Sequence, residues 1–102
     1  MAGAKDKAQK IIDDNKVVVF SKSWCPYCRA SKSLLDEKKA NYFLMELDEV
    51  SDGAALQDAL EEITGQRSVP NIFIAQKHIG GNSELQAKKG QLDGLLQEAG
   101  AV

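Results

Sequence analysis

The chain has 102 residues, 43% of them hydrophobic, which suffices for one compact core and is too short for two ordinary domains. Its 13 basic and 15 acidic side chains leave a formal charge of -2 and are interspersed without a block of one sign, which argues against a nucleic-acid or anionic-membrane surface. No stretch reaches the ~18 apolar residues a membrane span needs, and no apolar run follows the polar start MAGAKDKAQK, so the sequence reads as a soluble, unexported single domain over 1–102.

Residues 2 to 14 place Ala4, Ala8, Ile11 and Ile12 at helical spacing among Lys and Asp, the pattern of an amphipathic helix. VVVF at 17 to 20 is a continuous, largely β-branched run of the kind buried on both faces of a sheet. From Cys25 the pattern turns helical again, with Ala30, Leu34 and Leu35 on one face, Pro26 suited to the first turn and a polar end at 36 to 39. NYFLMELDEV, 41 to 50, contains a second strand. A third helix carries Leu56, Ala59, Leu60 and Ile63 and stops at Thr64 and Gly65. NIFIAQ at 71 to 76 and KHI at 77 to 79 read as two strands joined by a tight turn. A last helix is predicted from about Ser83 to Ala99, weakened at Gly90 and Gly94 by ~1 kcal/mol each relative to Ala. The order α-β-α-β-α-β-β-α gives an α/β fold: parallel first strands around a right-handed crossover helix, then an antiparallel hairpin, in a four-stranded mixed sheet flanked by helices.

Both cysteines lie in SKSWCPYCRASK, residues 21 to 32, separated by Pro26 and Tyr27. A disulfide between Cys25 and Cys28 would close a loop worth about 2 kcal/mol of chain entropy, against ~3 for a fifteen-residue loop, which makes it a poor staple. A closed zinc site wants four ligands, and the sole histidine, His78, is remote in sequence, so a metal within one chain is disfavoured. As a reagent the pair has a physical cause. Cys25 follows a strand and opens a helix, so its sulfur should face the backbone N–H groups of Tyr27 and Cys28 and the positive end of the helix dipole, which favour a thiolate. Lys22 and Arg29 add positive charge. Cys28, one turn further on, is placed to attack a disulfide on Cys25. Tyr27 should line a substrate groove, whereas Trp24 is equally well explained by packing.

Two further stretches carry chemistry-bearing patterns. In TGQRSVPN, 64 to 71, Val69 is held extended by Pro70, so its N–H and C=O can pair with an extended peptide; a strand start also accounts for Pro70 by itself. In IGGNSELQ, 79 to 86, two glycines precede a helix start at which Asn82 or Ser83 is an expected N-cap and free N–H groups can bind a carboxylate.

WCPYC after a basic residue, then TGQRSVP, then IGGNSEL, at these separations, resembles a dithiol glutaredoxin of the thioredoxin superfamily over nearly the whole chain. The resemblance implies a thioredoxin fold with a cis Pro70. It implies that Cys25 forms the mixed disulfide with glutathione and that Cys28 resolves protein disulfides. Lys22, Gln57 and Arg67 would hold the glycine carboxylate of glutathione, and the main chain of Val69 its cysteinyl part. Gly81, Asn82 and Ser83 would receive the γ-glutamyl carboxylate, with Glu84 facing the amino group. Two positions depart from the family's usual pattern: Glu84 stands where Asp is usual, one methylene longer, and Ser68 where Thr is usual.

The implied activity is a glutathione-dependent thiol-disulfide oxidoreductase, acting on glutathionylated proteins through Cys25 and on protein disulfides through both cysteines. Glutathione is co-substrate, glutathione reductase recycles it, and no cofactor is held tightly; a cytoplasmic monomer is the expectation. A thioredoxin is the nearest rival, but that family has Gly-Pro between its cysteines, and its potential lies near about -270 mV against about -200 to -230 mV. The rivals from other classes are a module binding an iron-sulfur cluster between two chains with glutathione as co-ligand, and a redox-silent adaptor using the Val69 groove.

Overall fold

A computed structural model describes residues 3 to 102. Residue 2, the first of the expected N-terminal helix, lies outside the described residues. The elements follow in the expected order: α1 (Ala4–Asp14), β1 (Val17–Ser21), α2 (Pro26–Glu37), β2 (Phe43–Glu46), α3 (Gly53–Thr64), β3 (Asn71–Ile74) and β4 (Lys77–Gly80). The C-terminal part is α4 (Asn82–Ala87), a 3-10 turn (Lys89–Gln91) and α5 (Leu92–Ala99).

The four strands form one sheet in the order β2-β1-β3-β4. β1 runs parallel to β2, with Ser21 opposite Glu46, and antiparallel to β3, which pairs antiparallel with β4. The continuous apolar run of β1 has the cause expected of it, since every residue of that strand is buried. Val17 and Val19 point into a core built with Leu34 and Leu35 of α2 and with Leu85, Leu92 and Leu96. Val18 and Phe20 point the other way, against α1 and α3, where Ile12, Leu56 and Leu60 close the second core. Full burial of a Leu or Phe side chain contributes roughly 1.5–3 kcal/mol, an upper estimate because unfolded chains already bury part of that surface. Among the described residues no helix is long and apolar enough to cross a membrane.

Two expectations need correction. The last helix is not continuous: its middle, around Gly90, tightens into three-residue hydrogen bonds, Lys88 N–H to Leu85 O at 3.1 Å and Gln91 N–H to Lys88 O at 2.8 Å. Leu85 and Leu92, on either side of this break, both still reach the core. β3 stops at Ile74, because Ala75 and Gln76 take left-handed backbone angles, φ 51° and 66°. They make a two-residue turn of the primed type, whose twist suits a hairpin even without the usual glycine. The predicted stop of α3 holds: Gly65 has φ 80° and donates its N–H to Glu61 O at 2.8 Å.

Candidate active site

Cys25 is the N-cap of α2, where Pro26 takes the first position, lacking an N–H at no cost. A turn closed by Cys25 N–H to Lys22 O at 3.1 Å brings the chain off β1 into that position. Of the two amides expected to face the sulfur, that of Cys28 does so, donating to Cys25 Sγ at 3.2 Å. Ser23 anchors the approach through both its N–H and its hydroxyl to Asp48, whose carboxyl those bonds hold below its usual range.

Both thiols are free; Cys25 shows 6% of its surface to solvent and Cys28 none. Burial, and next the hydrogen bond with Cys25, push the Cys28 thiol up to about 11. Cys28 therefore rests as a neutral thiol beneath its partner. Trp24 and Tyr27, beside Cys25 in the chain, are 64% and 68% exposed. The ammonium of Lys22 lies 5.9 Å from the centre of the Trp24 ring and makes no ion pair among the described residues.

The segment 64 to 71 packs against this helix start. The Val69–Pro70 bond is cis, as the resemblance implied, and Val69 O lies 3.9 Å from Cys25 Sγ. Gln66, which the sequence did not single out, fixes the loop: its side-chain amide donates to Ser68 O and Pro70 O, each at 3.0 Å. Gln57 of α3 donates to Arg67 O at 2.8 Å. The Arg67 guanidinium turns back to α3, paired with Asp58 and, at 3.6 Å, with Glu61.

An open groove of about 270 Å³ runs between the two sides, lined by Tyr27, Ser68, Val69, Pro70, Gly81, Asn82, Ser83 and Glu84. The expected cap of α4 needs correction. Gly81 occupies the N-cap, and its N–H donates to Glu84 Oε1 at 2.6 Å, the carboxylate reaching back over one turn. Asn82 is freed from capping and accepts instead from Ser31 Oγ of α2 at 2.9 Å. Ten of the twelve expected site residues thus gather at or beside this groove and helix start; the other two, Gln57 and Arg67, do not line the groove and are bonded to each other, with the Arg67 guanidinium held by Asp58 and Glu61 of α3. His78 serves the scaffold, its Nε2 bonded to the buried Asn71 Oδ1 at 2.8 Å.

The glutaredoxin family model matches residues 17–79. The chain belongs to the glutaredoxin family. Glutaredoxin from Ricinus communis is 54% identical over 97% of this chain and 99% of its own length. Glutaredoxin-C2 from Arabidopsis thaliana is 50% identical over 97% of this chain and 91% of its own. Among solved structures, a buckwheat glutaredoxin–glutathione complex superposes with TM-score 0.93 at 46% identity, covering 97% of this chain and 92% of that one. The sheet and helices are those of the thioredoxin fold, and glutaredoxins are oxidoreductases. In this glutaredoxin the polar residues that sequence reading passed over are Ser21, Ser31, Glu46, Asp48 and Gln66. Except for Gln66, whose amide bonds within its own loop, their partners are remote in sequence, so no local pattern announces them.

Proposed function

We propose that this glutaredoxin is a glutathione-dependent thiol-disulfide oxidoreductase that removes glutathione from protein thiols through Cys25 and reduces protein disulfides through Cys25 and Cys28. The observation that carries this reading is the Cys25 sulfur at the N-terminus of α2, taking the Cys28 N–H at 3.2 Å beside the Val69 main chain. The likeness to a glutaredoxin that binds glutathione supports the choice of co-substrate.

Cys25 attacks as thiolate the glutathione sulfur of a mixed disulfide; the protein thiol leaves and takes a proton from solvent. A second glutathione thiolate then attacks the Cys25–glutathione disulfide, giving oxidised glutathione and restoring the Cys25 thiolate. Glutathione reductase returns the oxidised product to the pool. With a protein disulfide, Cys28 attacks Cys25 and expels the second protein thiol, leaving a Cys25–Cys28 disulfide that two glutathiones reduce. This is ordinary exchange through a mixed disulfide.

Glutathione would lie in the groove with its cysteinyl part along Val69 and Pro70, and Tyr27 over it. Its γ-glutamyl end would meet Gly81, Asn82, Ser83 and Glu84, and its glycine carboxylate would meet Lys22, Gln57 and Arg67. The cations at one end and the helix amides at the other complement a ligand with two carboxylates. We place the protein in the cytoplasm as a monomer acting on glutathionylated and disulfide-containing proteins.

The test is turnover of a glutathionylated peptide with glutathione, glutathione reductase and NADPH. Cys28→Ser stays active and Cys25→Ser is inactive if the roles are right. A parent protein without glutathione-dependent turnover, yet able to reduce a protein disulfide, would belong with the thioredoxin-type reductases instead.

A further inference from the structure

The carbonyls of the residues on either side of Val69 are both taken by one side chain. The amide nitrogen of Gln66 donates to Ser68 O and to Pro70 O, each at 3.0 Å, which uses both of its hydrogens. Turning that amide over would set its oxygen against two carbonyls, so the acceptors fix its orientation. Val69, between them, is left open. Its N–H donates to no group among the described residues, and the Cys25 sulfur, 3.9 Å from its oxygen, is that oxygen's only hydrogen-bond contact there.

Gln66 is itself braced from two directions. Its backbone N–H donates to Thr64 Oγ1 at 3.0 Å, and that hydroxyl donates to Leu60 O of α3 at 2.8 Å. Its carbonyl accepts from the side-chain nitrogen of Asn71 at 3.4 Å, a long bond. Asn71 opens β3, is 1% exposed and meets His78 Nε2 of β4 through its oxygen at 2.8 Å. With the asparagine nitrogen on Gln66 O and its oxygen on the ring, His78 carries a proton on Nε2. The bracing from α3 and from the β3–β4 hairpin thus ends in the two carbonyls that flank Val69. Gln66 also stands where this loop meets the opposite wall of the groove: a Cβ added at Gly81 would lie 3.5 Å from Pro70 O and 3.9 Å from the Gln66 amide nitrogen.

We propose that Gln66 is a positioning residue for the exchange reaction: by pinning Ser68 O and Pro70 O it aims the Val69 main chain at the peptide backbone of glutathione. The proposal rests on the glutathione site described above, in which Val69 receives the cysteinyl part. Gln66 does not line the groove and acts through Val69. Its effect therefore falls on a ligand that has a backbone to pair and spares a disulfide that has none.

The test compares two substrates. One is the glutathionylated peptide, assayed with glutathione, glutathione reductase and NADPH; the other is dithiobis(nitrobenzoate), which holds no peptide group and reports the reactivity of Cys25 by stopped flow. Gln66→Glu keeps the shape of the side chain and replaces its donating nitrogen by an oxygen, while Gln66→Ala removes the group. Both should raise KM for the glutathionylated peptide about three- to tenfold, the equivalent of about one backbone hydrogen bond, with a smaller change in kcat. Both should keep the parent's rate with dithiobis(nitrobenzoate), which also shows the fold and the nucleophile intact. Ile12→Val, a loss of packing in the core on the α1 and α3 side of the sheet, should lower Tm and leave KM at the parent's value. A parental KM in the Gln66 variants, an equal loss with both substrates, or an equal rise of KM in Ile12→Val overturns the positioning role and leaves the glutathione site standing. A parent without glutathione-dependent turnover overturns both.

Discussion

The hydroxyl of Ser31, inside α2, donates to the side-chain oxygen of Asn82 at the start of α4, 2.9 Å away. This bond ties the helix that carries both cysteines to the opposite wall of the groove. Ser31 is fully buried, and Gln86 supplies Asn82 with a second donor at 3.2 Å.

Ser31→Ala should therefore cost about 1 kcal/mol of stability, the typical net value of one buried hydrogen bond. It should raise KM for glutathionylated peptide more than it lowers kcat, since the nucleophile is untouched. Denaturant titration with Ser31→Ala, Asn82→Ala and the pair should show non-additivity; additive losses would mean the bond couples nothing.

The Cys28 thiol, pushed up to about 11 by burial and by Cys25, should resist alkylation in the folded protein. At pH 8, iodoacetamide followed by peptide mapping should find Cys25 modified and Cys28 spared, with Cys28 labelling rising as pH approaches that value. The folded state binds this proton more tightly than the unfolded chain, whose ordinary value is 9.0. The associated stability is thus full below about pH 9 and falls as pH climbs toward about 11, so alkaline melting should steepen in the parent and flatten in Cys28→Ala.

Arg67 is engaged by Asp58 and Glu61, so any ligand carboxylate reaching it competes with two acidic groups already in place. Asp58→Asn should lower KM for the glutathionylated peptide, and Arg67→Ala should raise it, each by a few-fold because exposed pairs contribute little. No change in either variant would remove Arg67 from the proposed site.

Gly53, at the first position of α3, approaches the turn after β2 so closely that a Cβ would fall 1.8 Å from Leu47 O. The obstacle is backbone and cannot swing aside. Gly53→Ala should cost about 1–3 kcal/mol, as overpacking does, and lower Tm by roughly 4–8 °C for each kcal/mol in a chain of this size.

The parts of the fold that were legible from the residues are those where one local cause dominates. Three consecutive valines and a phenylalanine announce β1 because both faces of that strand are covered, and Gly65 announces the end of α3 because the chain needs its positive φ. Where causes compete, the sequence misleads. Asn82 is a good N-cap residue by type, but Glu84 reaches back to the Gly81 amide and Ser31 claims the asparagine. The helical spacing of Leu85, Leu92 and Leu96 suits one long helix, yet the chain breaks between them and still buries all three. The cysteines, Tyr27 and the two loops were visible as motifs. Ser21 and Glu46 were not, since what joins them is strand register, which no local pattern records.

The small opening around Cys25 also limits which disulfides can be reached. Exchange needs the attacked sulfur to line up with the two on either side of it, and a cysteine that shows 6% of its surface allows that approach from few directions. A disulfide fixed between rigid elements cannot bend past Trp24 and Tyr27 to meet it. A thiol adduct on a loose loop or chain end can, so this glutaredoxin should rank its clients by the local pliancy of their backbone before it ranks them by sequence.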